Sequence, residues 1–296
     1  MSDDDGDDPF IVHRRLLFTV AYEMLGSAAD AEDVLQESWL RWATVDRAEI
    51  REPRAYLVRI VTRQALNQLR TLSRRREDYV GEWLPEPLLT SRDVADDVEF
   101  AENVSIAMLT VLETLGPAER AVFVLREVFD LSYEEIADAV GKSSAAVRQI
   151  AHRAKEHVAA RRPRMSVDRT EQEEVMGRLV VALNTGDLQG LMDVLAPDVV
   201  SVADGGGKVR GAARRPVIGA DRLARLLVGG MAKAGGLVVA TAAWVNGQPA
   251  LRLELDGRLV GVASLTIAGG RVAMVHSIAN PDKLGNLDAE AELASR

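Results

Sequence analysis

The sequence predicts a multidomain protein in which two all-α domains are followed by an α+β domain. The first half of the chain carries apolar residues at helical spacing, and residues 131–157 have the pattern of two short helices joined by a tight turn. Past Pro163 the pattern changes to two helices followed by glycine-rich turns and short alternating runs. With 296 residues, the chain is long enough for two or three domains.

The first all-α domain is predicted over residues 9–76. Its first predicted helix ends near Gly26, because glycine commonly follows the last turn of a helix. Ser27 or Asp30 can cap the next helix, and Pro53 marks the start of a third, long one. The three helices together predict a small helical bundle.

The second all-α domain is predicted over residues 102–164, after an acidic, proline-containing linker at 77–101. In its helix-turn-helix, Gly141 supplies the turn, and Ser143 and Ser144 offer hydroxyls that can cap the second helix. The residues that this second helix would bury share one face: Val147, Ile150, Ala151 and Ala154. An ordinary amphipathic helix pair with a solvated face remains the alternative for this pattern alone.

The α+β domain is predicted over residues 168–285, with a tail at 286–296. Two helical segments come first, and five short runs of alternating or continuous apolar residues follow them. Glycine-rich turns separate these runs. We therefore expect two helices packed on a curved antiparallel sheet.

Charges alternate in blocks along the chain, although the formal net charge is −9. Acids dominate residues 1–8, 23–37 and 77–102, whereas bases dominate 51–76 and 142–164. Basic blocks can neutralise DNA phosphates, and acidic blocks suit a basic protein surface. A solvated charged face would explain any single block, but the alternation favours a protein that binds both DNA and a basic protein.

Composition limits the chemistry that the chain can perform. The absence of cysteine excludes disulfides, thiol catalysis and cysteine-ligated metal centres, and it fits a reducing cytosol. The four histidines lack metal-ligand spacing, so we expect no metal and no cofactor. The acidic N-terminus is unlike a signal peptide, and no apolar run approaches the roughly 18 residues that span a membrane. We expect a cytoplasmic protein without a membrane segment.

Three segments together resemble the extracytoplasmic-function (ECF) sigma factors of bacterial RNA polymerase. They are ADAEDVLQESWLRW at 29–42, REPRAYLVRIVTRQALNQLRTLSRRR at 51–76 and LGPAERAVFVLREVFDLSYEEIADAVGKSSAAVRQIAHRAK at 115–155. Three short motifs are similar to those of the group that has a fused C-terminal SnoaL-like domain: WLPEP at 83–87, DGGGK at 204–208 and NPDKL at 280–284.

The resemblance implies sigma region 2 as a helical bundle, sigma region 4 as the helix-turn-helix domain, and a SnoaL-like cone. It implies promoter-specific transcription initiation, with activity modulated by the SnoaL-like domain. The expected partners are promoter DNA and core RNA polymerase, bound through its flap region and the clamp coiled coil of its largest subunit. A separate anti-sigma factor is not required. The alternative is a helix-turn-helix regulator whose SnoaL-like domain senses or converts a small molecule.

The expected polymerase-binding surface is a row of side chains on the second predicted helix: Asp30, Glu32, Asp33, Gln36 and Glu37. Like-charged neighbours cost about 0.2–0.5 kcal/mol per pair on an isolated helix, so the row favours a basic partner. The alternative is that these acids simply interact with the positive end of the helix dipole. That explanation covers positions 30–33 but not 36 and 37.

The third predicted helix carries the residues expected to bind the −10 element. Arg63, Asn67 and Arg70 share one face, where arginine can bind phosphate or guanine and asparagine can read a base edge. The expected nonspecific phosphate contacts are Arg74, Arg75 and Arg76.

By resemblance, the loop at about 45–54 captures a flipped base of the −10 element. Trp42 and Tyr56 could stack on bases, although Trp39 and Tyr56 fit the core better. On the second helix of the helix-turn-helix, the residues expected to read the −35 element in the major groove are Ser144, Arg148, Gln149, His152 and Arg153.

The three short motifs predict a regulatory contact between the linker and the third domain. The candidate residues are Trp83, Leu84, Pro85, Glu86 and Pro87 in the linker, Asp204, Gly205, Gly206, Gly207 and Lys208 in the second motif, and Asn280, Pro281, Asp282, Lys283 and Leu284 in the third. The linker motif is apolar and stiff, which suits docking into a groove.

Catalysis by the third domain would need an acid–base group, and Asp204 and His276 are the candidates. Asp204 precedes three glycines, which is typical of a turn between strands. His276 is expected to face the cone interior or its rim as a hydrogen-bonded core histidine. We therefore predict no enzymatic activity and no catalytic residues.

Overall fold

The computed structural model describes residues 8–47, 50–77, 79–161, 168–209 and 211–294. The chain divides into two compact units. We call them the helical unit (residues 1–77, 109–162 and 292–296) and the mixed unit (residues 78–108 and 163–291). The segment that the sequence presents as a linker thus belongs to the mixed unit.

The helical unit follows the caps and turns that the sequence predicts. Its helices are α1 (Pro9–Val12), α2 (Arg14–Leu25), α3 (Ala28–Trp42), α4 (Pro53–Glu77), the end of α6 (Ile106–Leu112), α7 (Pro117–Phe123), α8 (Tyr133–Val140) and α9 (Ser144–Ala159), with a π turn at Val124–Val128. Gly26 ends α2 in the left-handed conformation, and the Ser27 hydroxyl caps α3. Gly141 ends α8 in the same way, and Ser143 caps α9. The helix-turn-helix prediction is confirmed.

Two layers of packing form the helical unit. Helices α2, α3 and α4 pack on one another around side chains such as Leu17, Leu25 and Leu57, which are fully buried. Helix α4 also packs on α7 and α8, and α7 packs on α9. The apolar face predicted for α9 is buried as expected. Helix α4 therefore lies between the first bundle and the helix-turn-helix.

The mixed unit places helices against a six-stranded sheet. Its helices are α5 (Val98–Val104), the start of α6, α10 (Arg169–Thr185), α11 (Leu188–Val194) and α12 (Ala220–Ala232). Its strands are β1 (Leu195–Asp204), β2 (Val217–Ile218), β3 (Val238–Val245), β4 (Gln248–Leu255), β5 (Arg258–Ala268) and β6 (Arg271–Ile278), in the order β2-β1-β6-β5-β4-β3. The α+β prediction is confirmed.

The prediction of an entirely antiparallel sheet is wrong at one pair of strands. Strands β1 and β6 pair in parallel, whereas all the other pairs within this sheet are antiparallel. The chain leaves β1, passes through β2, α12 and the β3–β5 meander, and returns beside β1. A parallel pair needs such a long crossover, and periodicity within a single strand cannot reveal it.

The sheet of the mixed unit is covered on both faces. Side chains such as Leu265 and Val275 face a core shared with α10, α11 and α12. On the opposite face, Val262 and Ile278 pack against Leu84 of the WLPEP motif. Among the described residues, no helix is both long and apolar enough to cross a membrane.

Candidate functional site

The acidic row on α3 is partly held by side chains of the helical unit itself. Glu37 Oε2 accepts a hydrogen bond from Gln64 Nε2 at 2.7 Å, and Asp30 Oδ1 accepts one from Gln68 Nε2 at 3.0 Å. Glu32 forms an ion pair with Arg14 at 2.7 Å. Two of the carboxylates therefore tie α3 to α4, a role that the charge pattern alone does not reveal.

The remaining members of the row, Asp33 and Gln36, are exposed. They line a groove between α3 and α4 whose other wall includes Asn67. Beside this groove Leu40 is 66% exposed, and it borders an apolar depression formed with Trp39 and others. Ile11 also lines this depression, and a contiguous apolar surface with a polar rim is typical of a protein-binding site.

Arg63 on α4 is held by the end of α8. Its Nη2 donates to the carbonyl of Asp138 at 2.7 Å, and its Nε donates to the carbonyl of Ala139 at 3.4 Å. Carbonyls in the last turn of a helix attract a guanidinium. Asn67 and Arg70 are exposed and contact each other, with Arg70 Nη1 donating to Asn67 Oδ1 at 3.3 Å. Arg74, Arg75 and Arg76 fall in α4, but their side chains lie outside the described part of the structure.

The aromatic side chains around the loop at about 45–54 differ from expectation. Trp42, a candidate for base stacking, is only 1% exposed, and its Nε1 donates to Asp8 at 2.9 Å. Trp39 and Tyr56, expected in the core, are half-buried. Arg59 lies over the Tyr56 ring at 5.0 Å. The prediction that Trp42 stacks on a base is wrong. The sequence could not reveal this, because the buried acceptor that fixes Trp42 lies 34 positions away.

The polar face of α9 is open in the helical unit. Arg148, Gln149, His152 and Arg153 are exposed, and Ser144 is half-buried at the first turn. Arg148 pairs with Glu134 at 3.2 Å and lies over the Tyr133 ring at 5.3 Å. These contacts orient the guanidinium without burying it, so the helix presents its polar face to solvent.

A buried pair joins α2 and α7 within the helical unit. Arg120 Nε donates to the backbone carbonyl of Glu23 at 2.9 Å, and its Nη1 contacts the Glu113 carboxylate. The Glu23 carboxyl is fully buried, and neither oxygen has a hydrogen-bond partner among the described residues. Burial raises the pKa of Glu23 to about 8 against the attraction of Arg120. Burial also lowers the pKa of Arg120 to about 9. The sequence analysis missed this pair.

In the mixed unit, the three short motifs meet at the carboxylate of Asp204, which has 0% exposure. Its Oδ1 accepts from the Tyr79 hydroxyl at 2.6 Å and from the Gly206 amide at 3.0 Å. Its Oδ2 accepts from the Leu84 amide at 3.0 Å and from Lys283 Nζ at 2.6 Å. One residue of DGGGK thus binds both WLPEP and NPDKL. We call these five residues the Asp204 hub.

Lys283 is held in the hub by aromatic rings as well as by charge. Its Nζ lies 4.1 Å from the centroid of the Trp83 ring and 5.1 Å from that of Tyr79, which favours a cation. It also donates to the Leu84 carbonyl. Asn280 Nδ2 donates to the Tyr79 hydroxyl at 2.8 Å. Burial and the bond to Asp204 raise the pKa of Tyr79. The sequence analysis missed Tyr79 because it lies outside the motif.

Glycine is required where the second motif passes the third. Gly206 has φ of 59°, and a Cβ there would lie 2.5 Å from Asn280 Nδ2. Gly205 and Gly207 are equally crowded, by Ala212 and Val80. Beyond the hub, Lys208 pairs with Asp282, and Glu86 accepts from Asn286 at 2.8 Å.

His276 was expected to face the cone interior or its rim, and this prediction is wrong. Its cross-strand neighbours are Val202 and Ser264, and it shares a sheet face with Ile278, opposite the face of Val275. Burial lowers the pKa of His276 to about 4, and its Nδ1 has no hydrogen-bond partner in the described structure. A one-residue bulge in β6 changes the face on which each later residue lies.

Comparisons with known proteins match both halves of this architecture. Residues 10–75 match the family model for sigma-70 region 2, and residues 105–158 match the one for sigma-70 region 4. The ECF RNA polymerase sigma factor SigJ of Mycobacterium tuberculosis is 40% identical over 283 residues, which cover 91% of this chain and 90% of SigJ. The probable ECF sigma factor SigI of the same species is 34% identical over 281 residues, or 94% of each chain.

A solved structure agrees with the sequence relatives. The crystal structure of M. tuberculosis SigJ matches with a TM-score of 0.74 at 36% identity, over 94% of this chain and 97% of that one. The fold and the two helical regions define a bacterial sigma factor with an additional α+β domain. The chain belongs to the ECF sigma factors that carry a C-terminal SnoaL-like domain, and its function is transcription initiation. This membership decides against an ordinary helix-turn-helix regulator.

Proposed function

We propose that the α3 row, Asp30, Glu32, Asp33, Gln36 and Glu37, binds the clamp coiled coil of the largest polymerase subunit. The exposed pair Asp33 and Gln36 beside exposed Leu40 carries this proposal. A basic partner would also compete with Gln64 for the Glu37 carboxylate and with Gln68 for the Asp30 carboxylate. The helix-turn-helix domain contacts the flap region of the polymerase.

At the promoter, α9 reads the −35 element through Ser144, Arg148, Gln149, His152 and Arg153. The exposed polar face of α9 and its buried apolar face support this assignment. Arg63, Asn67 and Arg70 bind the −10 element, and Arg74, Arg75 and Arg76 contact phosphates. Arg63 can reach DNA only after it leaves the α8 carbonyls, so −10 binding requires α8 to move away from α4.

The SnoaL-like domain regulates the sigma regions and is not an enzyme. The Asp204 carboxylate accepts four hydrogen bonds, so it has no free oxygen to act as a base. The hub fixes the WLPEP segment, which is continuous in sequence with both sigma regions. Regulation within one chain removes the need for a separate anti-sigma factor. The partners, core polymerase and promoter DNA, place the protein in the cytoplasm.

A binding assay with core RNA polymerase tests the function. Asp33→Lys should weaken holoenzyme formation by about tenfold or more, because a reversed charge faces the basic clamp. The matched control is Asp221→Lys on α12, where the acid is equally exposed. Unchanged affinity in the Asp33 variant would refute the assignment of this row.

Regulation by the hub is tested in the full chain. Lys283→Met keeps the length of the side chain but removes the cation that joins Asp204, Trp83 and Leu84. Transcription by the reconstituted holoenzyme should change, while Arg225→Met, which breaks only an exposed pair with Asp221 on α12, outside the three motifs, should leave it unaltered. If both variants transcribed like the wild type, the hub would have no regulatory role.

A further inference from the structure

Asp8 lies at a junction of three elements in the helical unit. Its Oδ1 accepts hydrogen bonds from the Phe10 amide at 2.8 Å, which caps α1, and from Trp42 Nε1 at 2.9 Å. Its Oδ2 forms an ion pair with Arg47 Nη2 at 2.8 Å. The carboxylate is only 8% exposed, so its acceptors are committed to these partners. The sequence presents Asp8 merely as the last member of an acidic run.

Arg47 is held from two directions. Besides the ion pair with Asp8, its guanidinium lies 5.1 Å from the centroid of the Trp42 ring. An arginine fixed by a carboxylate and an aromatic face keeps one orientation better than one with a single contact. Trp42 is itself immobilised, because it is buried and bonded to the same carboxylate.

The backbone of Arg47 shapes the loop between α3 and α4. Its carbonyl accepts from the Ile50 amide at 3.2 Å, so the backbone of Arg47 is bonded directly to that of Ile50. Val45 and Ile50 line a groove together with Tyr56 and Arg59 of α4, and side chains of α8 such as Glu135 complete its lining. A shift of Arg47 would therefore move Ile50, on the loop side of this groove.

We propose that Asp8 is a positioning residue for the loop at about 45–54, acting through Arg47 and Trp42 to hold the side of the groove formed by this loop and α4 in the shape that receives a −10 base once α8 has moved away. The proposal rests on the proposed role of region 2 in −10 recognition. Asp8 touches no DNA in this scheme. It fixes the loop, and the loop together with Tyr56 and Arg59 contacts the base.

Asp8→Asn is the variant that separates positioning from folding. An asparagine oxygen can still accept from the Phe10 amide and Trp42 Nε1, so the cap and the core contact persist. The amide nitrogen that replaces Oδ2 cannot bind the Arg47 guanidinium, because both groups are donors. Arg47→Gln removes the same ion pair from the other side and serves as a second variant. Asp221→Asn, in an exposed ion pair on α12, is the control with the same chemical change.

The assay uses holoenzyme reconstituted from the full chain and a template library randomised over both promoter segments, with the transcripts sequenced. Base discrimination within the −10 segment should fall by about tenfold in both variants, as expected for the loss of one charge-assisted hydrogen bond. The −35 preferences, the core affinity and the behaviour of Asp221→Asn should match the wild type. Unaltered −10 discrimination, or an equal loss at both segments, would overturn the positioning role. A wild-type holoenzyme without any −10 preference would instead refute the proposed function.

Discussion

Two fully buried carboxyl groups, Asp204 in the mixed unit and Glu23 in the helical unit, have opposite surroundings. Asp204 in the mixed unit accepts four hydrogen bonds, one of them from a lysine that is itself packed between aromatic rings. Glu23 in the helical unit is just as buried, yet neither oxygen finds a donor among the described residues, and its neighbour Arg120 bonds to its backbone instead.

This difference indicates which contacts are permanent. A buried group with all its bonds made is costly to disrupt, whereas a buried group without partners gains solvation when its surroundings open. Arg120 belongs to region 4 and Glu23 to region 2, and Arg63 makes a second contact between the same regions. The contacts of the hub are therefore costlier to break than the contacts that Glu23 makes between regions 2 and 4.

The largest expected effect comes from removing the carboxylate of the hub. Asp204→Ala should destabilise the mixed unit by about 3–5 kcal/mol, because it leaves the buried Lys283 ammonium without its counter-charge. Hydrogen exchange of β1 and β6 amides measures this change locally. Lys208→Ala, the control, removes an exposed pair and should cost less than about 1 kcal/mol. If the β1 and β6 amides exchanged at similar rates in Asp204→Ala and Lys208→Ala, the buried carboxylate would stabilise the mixed unit no more than an exposed ion pair does.

The second prediction concerns Glu23 and pH. The pKa of this carboxyl in the folded unit is about 8, raised from 4.5, so the folded state holds a proton that the open state releases. Stability from this group is fully present below pH 4.5 and declines as pH rises towards 8, by up to about 1.4 kcal/mol per pH unit. The lowered pKa of Arg120, about 9, acts only above this window.

Glu23→Gln tests that slope, because glutamine keeps the shape and cannot ionise. The free energy of opening obtained from hydrogen exchange of α2 and α7 amides should fall between pH 5 and 8 in the wild type and stay level in the variant. The control Glu292→Gln alters an exposed ion pair with Arg15 and should keep the wild-type slope. If the free energy of opening in the wild type did not change with pH, the Glu23 carboxyl would be solvated in the folded helical unit.

Local signals explain what the sequence could predict. The ends of α2 and α8 were predictable because Gly26, Ser27 and Gly141 act on their own helix turns. The motif segments were also recognisable as short strings. The family comparison then confirmed the class of protein, because both regions match their family models at the positions of these segments.

Long-range pairing explains what the sequence could not predict. Tyr79 is 125 positions from Asp204, and Arg63 is 75 positions from Asp138. The parallel pairing of β1 and β6 likewise depends on a return of the chain after five intervening elements. Periodicity reports which face of an element is buried, but it carries no information about the element that covers it.

The third prediction uses His276 as the opposite of Glu23. Its pKa is lowered from 6.5 to about 4 by burial, so the folded mixed unit excludes a proton that the unfolded chain binds. Stability from this group is present above pH 6.5 and lost as pH falls towards 4. In the wild type, the β6 amides should lose protection from hydrogen exchange as pH falls. His276→Leu should abolish this loss of protection, whereas Ser264→Ala on the neighbouring strand should retain it. If the protection of the β6 amides in the wild type did not change as pH falls, the imidazole of His276 would not be buried.

The smallest expected effect lies at the free edge of the sheet. Strand β3 is the edge strand, and Asn184 on α10 donates to the Ala240 carbonyl at 2.9 Å and accepts from the Ala240 amide at 2.8 Å. This side chain satisfies edge groups that would otherwise pair with another chain. Asn184→Ala should cost about 1 kcal/mol, since water replaces the lost bonds, and should increase self-association measured by light scattering. The control Gln189→Ala removes an exposed amide contact on α11 and should do neither. An Asn184 variant as monodisperse as this control would show that Asn184 is not needed to protect the β3 edge, which Leu89 also covers through its bridge to Val245.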